Sequence, residues 1–155
     1  MKKPYTKESA LIAMGTLCAR SEQCEADIVK KLRLKGLPYP DIQDVIAKLR
    51  SDSFIDDHRF ARSFANDKVR FSAWGRNKIR LALITKRIES EAVAAALQSI
   101  DETDYKAALA RAAQSKVKSL DLQEYDDRLK LYKFLVSRGF ESALASREVK
   151  RLRMQ

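Results

Sequence analysis

Residues Ser53–Ile88 read SFIDDHRFARSFANDKVRFSAWGRNKIRLALITKRI. This stretch decides the fold. It predicts one helix, a tight turn around Trp74-Gly75, and a second helix. On a helical wheel started at Asp57, Phe60, Phe64 and Phe71 share one face, and Arg59, Arg62 and Arg70 cluster on the opposite one. The phenylalanines are expected in the core. Asp56 or Asp57 is suited to cap the helix, because a carboxylate accepts a bond from an orphan amide and offsets the positive helix end. The arginines read as solvated surface or as partner contacts, and the pattern alone does not choose between them.

Outward from this stretch the pattern returns. Shifting by 51 residues brings Ile28 onto Ile79, Leu32 onto Leu83, Lys35 onto Lys86, Leu37 onto Ile88, Ile42 onto Val93, Ile46 onto Leu97 and Leu49 onto Ile100. A further shift of 52 gives Leu131, Leu135, Arg138, Phe140, Ala145, Val149 and Leu152. Apolar residues hold six of these columns and a basic residue holds the other in every copy. Gly36 returns as Gly139, with Arg87 between them. A phase that survives two shifts is a threefold repeat of three-helix units. The expected units are residues 1–52, 53–100 and 101–155, and the apolar stripes of each are expected to close a small core.

Local signals place the helices. Thr6 suits the N-cap of a first helix through Arg20, with Ala10, Ala13, Met14 and Leu17 on one face. A second helix is expected from Cys24 to Lys35, stopped by Gly36. Pro38 and Pro40 then stiffen a turn, and Asp41 is expected to cap the third helix. Tyr105, Ala108, Leu109 and Ala112 share a face in the third unit, and the longest loop is expected from Ser115 to Glu124. All three prolines lie before Asp41, and no alternating strand-like run occurs. The prediction is an all-α, elongated tandem array of three helix-turn-helix-like units, about nine helices in all.

The net charge is +10, distributed as +3, +4 and +3 over the three units. A spread of this kind suits extended contact with a polyanion, and equally a helical protein with many exposed lysines. Cys18 and Cys24 lack the spacing of a zinc site or a disulfide framework. The start MKKPYTKESA has no apolar run for a secretion signal, and no stretch of about 18 apolar residues occurs. A cytoplasmic protein with reduced thiols is expected.

No catalytic constellation is visible. The single histidine, His58, stands beside Asp57 at a helix start without a nucleophile motif, and Asp56-Asp57 suits capping better than metal binding. No phosphate-cradling glycine loop occurs. No catalytic, metal or cofactor residues are expected. What remains is a surface: Arg76 and Arg80, one turn apart, together with Arg59, Arg62 and Arg70. Trp74 either plugs the junction of two units or stacks on a partner. Only Asn77 and Thr85 on the fifth helix are suited to base edges, so backbone contact is favoured over sequence reading.

Several segments resemble one known family. Phe54-Ile55-Asp56-Asp57-His58-Arg59-Phe60-Ala61 resembles the "LDD-x-RFA" segment of the RecX family. Trp74-Gly75 followed by Ile79-Arg80, Leu83 and Lys86-Arg87-Ile88 resembles its "G-x-x-x-I-x-x-x-L-x-x-K-G-I". Phe134-Leu135 with Arg138-Gly139-Phe140 resembles its "FL-x-x-RGF", and Arg20, Asp27-Ile28 and Leu32 resemble its first-unit "R-x-x-S-x-x-EL-x-x-x-L". Cys24, Ala73 and Arg87 depart from that pattern, where serine and two glycines are common.

A monomer without a cofactor is expected. The resemblance implies tandem three-helix units and a regulator with no catalytic residue. It implies binding to RecA recombinase filaments on DNA and inhibition of RecA ATPase, strand exchange and co-protease activity. It thereby implies a role in recombination, DNA repair and the SOS response. The candidate partner surface, taken from the arginine pattern and not from the resemblance, is Arg59, Arg62, Arg70, Arg76 and Arg80, facing RecA or DNA phosphate. The alternative reading is a freestanding nucleic-acid-binding protein that coats DNA.

Overall fold

The computed structural model describes residues 5–155; the expectation on the basic start, Met1–Pro4, falls outside the described residues. Among these residues are nine α-helices and no strand. They are α1 (Lys7–Arg20), α2 (Glu25–Leu34), α3 (Tyr39–Ser51), α4 (Asp57–Ser72), α5 (Arg76–Thr85), α6 (Ser90–Gln98), α7 (Glu102–Val117), α8 (Tyr125–Ser137) and α9 (Ser142–Arg153). They form a tandem array of three three-helix units. The chain exposes 9896 Å², against roughly 7,900 Å² for a compact monomer of this mass. The difference is that of an extended shape.

The repeat columns are the core. Ile28, Ile79 and Leu131 are fully buried, as are Leu32, Leu83 and Leu135, and the remaining apolar columns down to Leu49, Ile100 and Leu152 are buried in every copy. The turn after each second helix repeats as well. Gly36, Arg87 and Gly139 take φ of 81°, 60° and 99°. Arg87 therefore enters the left-handed region with a Cβ, at a cost of roughly 1–2 kcal/mol. Pro38, Glu89 and Glu141 then start the third helices from the same extended conformation.

The first unit closes its own core, from Ala10 to Ile55. The second and third share one continuous core, so the expected three separate cores are two. The glycines explain the fusion. Gly75 N–H donates to the Arg138 carbonyl at 2.8 Å, and Asn77 N–H to the Gly139 carbonyl at 2.9 Å. Backbones meet this closely only where no Cβ intervenes.

Capping follows the sequence closely, with exceptions. Thr6 caps α1 in a capping box with Ser9, and Asp56 caps α4 by accepting from Arg59 N–H. Asp57 instead reaches back to the first unit and accepts from Glu25 N–H at 3.0 Å. It thus does for α2 what the Cys24 side chain does not. Asp41 is not the cap of α3: the helix starts three residues earlier than an Asp41 cap would give, after Pro38, because Pro40 needs no hydrogen-bond partner in a first turn. The expected loop is shorter at its start, since α7 runs on to Val117.

Phe71 corrects another expectation, being 80% exposed. The buried arc of α4 centres on Ala61, Ala65 and Val69, with Phe60 at one edge. Phe64 is half-buried, and Phe71 lies in the last turn, where no element covers it. The Arg70 guanidinium sits 5.8 Å from its ring centroid.

The first unit is joined to the second by Cys24 and Ala26, which pack into the second unit's core, and by charge. Lys86 reaches Asp27 at 2.8 Å and Arg59 reaches Glu22 at 2.6 Å. Burial acts to raise the Asp27 carboxyl, but the Lys86 ammonium and the neighbouring Cys24 thiol outweigh it and hold it below the ordinary range. At the second junction burial likewise opposes, and the Tyr105 hydroxyl and Arg76 hold Glu141 low. A carboxyl depressed on folding stabilises fully above its unfolded pKa of about 4, and that stability is lost as pH falls through the folded value. Asp27→Asn and Glu141→Gln are thus expected to be less stable than the parent near neutrality. The gap should narrow below about pH 4, as read by denaturant midpoints across a pH series.

Candidate functional site

The five arginines singled out by pattern part into two groups. Arg62, Arg70 and Arg80 are exposed. Arg62 has no side-chain partner among the described residues. Arg70 pairs loosely with Asp67 at 3.5 Å, and Arg80 donates to the Asn77 amide oxygen at 2.8 Å. Such exposed contacts contribute little to stability and leave the charge available.

Arg59 and Arg76 are engaged within the chain. Arg59 donates through Nε to Glu22 at 2.6 Å and through Nη2 to the Ser53 carbonyl at 3.1 Å. Arg76 bridges the second and third units, pairing with Glu102 at 2.6 Å and Glu141 at 2.8 Å. Its guanidinium lies 3.8 Å from the Tyr105 ring centroid. The Tyr105 hydroxyl accepts the Arg76 backbone N–H at 2.9 Å and donates to Glu141. Burial, then that bond to Glu141, pushes the Tyr105 hydroxyl far above its ordinary pKa, so it stays a donor.

The pattern search passed over the residues that clamp unit to unit. Lys86 and Arg138 occupy the same repeat column and both reach back to the preceding unit, Lys86 to Asp27 and Arg138 to the Ser72 carbonyl. Arg111 adds bonds to the carbonyls of Val69 and Arg70 at 3.0 and 2.8 Å, closing the C-terminus of α4. The invariant basic column was the available signal. Lys35, in the first unit, lies 6.0 Å from the Tyr5 ring centroid.

Trp74 packs within the second unit and also lines a cleft between that unit and α2 of the first. It packs edge-on against Phe64 with centroids 6.3 Å apart, flanked by Lys68 and Lys78 at 4.6 and 4.5 Å. His58 is exposed in the first turn of α4. Both cysteines are free thiols, and burial pushes Cys24 up to about 11. Among the described residues no group of histidine, cysteine and carboxylate side chains is placed to hold a metal, and no helix is long and apolar enough to cross a membrane. The arrangement is a charged surface on a helical frame.

Comparison with known proteins agrees with this frame. A family model described as "RecX, second three-helix domain" matches residues 56–97. A "Regulatory protein RecX" of Prosthecochloris aestuarii is 31% identical over 142 residues, which cover 92% of this chain and 91% of that protein. One of Clostridium botulinum is 35% identical over 124 residues, and there the match spans 58% of the relative's length. The crystal structure of RecX from Lactobacillus salivarius superposes with a TM-score of 0.79 at 19% identity, covering 96% of this chain and 97% of that one. At that identity the superposition speaks for the fold, whereas the sequence matches carry the lineage. The chain belongs to the RecX family.

Proposed function

We propose that this chain is a non-enzymatic regulator that binds filaments of the RecA recombinase on DNA. It inhibits RecA ATPase, strand exchange and co-protease activity, and so modulates recombination, DNA repair and the SOS response in the cytoplasm. The observation that carries the reading is membership of a family whose relatives are named regulatory proteins. The frame adds a physical rationale. Three units, taken as residues 1–52, 53–100 and 101–155, stand in a row and each carries excess positive charge. A helical filament repeats its surface, so a row of similar units matches it with several weak contacts whose avidities multiply. The contact residues in this reading are Arg62, Arg70 and Arg80, with Arg59 and Arg76 holding the middle unit to its neighbours. RecA ATP hydrolysis, followed while the monomeric protein is titrated in, is expected to fall at near-equal or lower amounts. An unchanged rate over a wide titration rejects the reading.

The net charge of +10 favours a second reading, a freestanding protein that coats DNA. That reading requires tight binding to bare DNA with a steep salt dependence. Weak binding to bare DNA alongside filament inhibition decides for the first.

A further inference from the structure

The two junctions between units are built on the same register but differ at the residues that decide how closely they approach. By the repeat, Cys24 corresponds to Gly75, and Lys86-Arg87 to Arg138-Gly139. At the second junction two glycines let the backbones touch. A Cβ on Gly75 would fall inside the Gly139 backbone, and one on Gly139 would lie 2.5 Å from the Lys78 backbone nitrogen. At the first junction Cys24 and Arg87 both carry a Cβ. The backbone bonds are absent there, and the side chains of Asp57 and Lys86 span the gap. Beside this junction lies an open cleft of 1460 Å³ between α2 and α5, with Trp74 in its lining.

The cleft exceeds the roughly 300–1,000 Å³ of a small-ligand pocket, so its size suits a segment of polymer. Lys30 and Arg33 on α2 face it, as do Lys78 and Arg87 of the second unit. None of these four cations has a carboxylate partner among the described residues, whereas Asp27 and Glu25 in the same lining are paired with Lys86 and Arg50. Val29 and Leu81 line the cleft as well, the latter 66% exposed.

We propose that this cleft is a docking groove for an acidic polypeptide segment. Its carboxylates pair with Lys30 and Arg33 on one wall and Lys78 and Arg87 on the other, and its apolar side chains pack on Val29, Leu81 and Trp74. Charge complementarity selects an anionic partner, and the lining selects among anions. Asp56, Asp57 and Glu89 also line the cleft. A nucleic acid, negative at every residue, would set phosphates against these three carboxylates as well as against the four cations. A polypeptide can set carboxylates on the cations and apolar groups between them. The inference goes beyond the filament reading and does not rest on it, since Arg62, Arg70 and Arg80 are not in the lining.

The test uses the full chain and a short fluorescein-labelled peptide in which glutamates alternate with leucines. A thymidine oligonucleotide of equal charge is the second probe. Anisotropy is expected to show peptide binding, weaker oligonucleotide binding, and a change in the emission of Trp74, the single tryptophan of the chain. Joint substitution Arg33→Glu and Lys78→Glu should weaken the peptide about tenfold or more. Arg147→Glu with Lys150→Glu, on α9 away from the cleft, should leave affinity unchanged, with equal helix content in both variants by circular dichroism. The proposal is overturned if the peptide does not bind, if it binds the cleft variant as tightly as the parent, or if the oligonucleotide binds more tightly than the peptide.

Discussion

Replacing Gly75 by alanine is expected to destabilise the protein by about 3 kcal/mol and lower its melting temperature by roughly 6–12 °C. The backbone at Gly75 is ordinary, with φ of −86°, so conformational strain is not the cause. The cause is the missing space: the added methyl would lie 2.2 Å from the Gly139 carbonyl carbon and 2.3 Å from the Phe140 amide nitrogen. Those are backbone atoms and cannot swing aside, so the junction must separate. Separation breaks the two backbone hydrogen bonds across it and loosens Phe140, which is fully buried in the core the two units share. The same substitution at Gly15 supplies the control. There the new Cβ meets nothing within 4 Å, and the residue lies within α1. Gly15→Ala should therefore stabilise by about 0.5–1 kcal/mol. Thermal denaturation of both variants reads the opposite signs directly, and a neutral Gly75→Ala would mean that the second junction is not closed as described.

The array was legible because its signals are local or periodic. Ile28, Ile79 and Leu131 follow from apolar spacing, Thr6 and Asp56 from capping chemistry, and the left-handed turns at Gly36 and Gly139 from glycine itself. Arg87 shows how strongly the repeat imposes its geometry, since it takes the glycine conformation without being one. What escaped the sequence depends on partners distant along the chain. Arg59 reads as a surface arginine until Glu22 is found beside it, and Arg76 until Glu102 and Glu141 close on it from the third unit. Phe71 failed for a related reason. Its spacing matches Phe60 and Phe64, but whether an edge position is covered depends on the neighbouring element, and none covers the Phe71 side of the last turn of α4. The departures at Cys24 and Arg87 looked like changes in a cap and a turn. Their consequence is larger, because they fall at the point where one unit meets the next.

The division among the arginines makes the filament reading sharply testable. Reversing Arg62, Arg70 and Arg80 together to glutamate is expected to weaken inhibition of RecA ATP hydrolysis roughly a hundredfold, equivalent to about 3 kcal/mol. Like charges brought face to face across an interface cost several kcal/mol. None of the three holds a buried partner, so helix content and melting temperature should stay close to the parent. Raising the salt should narrow the difference between parent and variant, because exposed charges are screened within about 10 Å at 0.1 M ionic strength. Reversing Arg76 should do the opposite. A glutamate there would face Glu102 and Glu141 with no cation between them, so melting temperature should fall, and any loss of inhibition should follow loss of structure. Folded triple variants that inhibit like the parent would move the contact off these three arginines. The cleft between the first two units, whose cations are different ones, would then be the next surface to reverse.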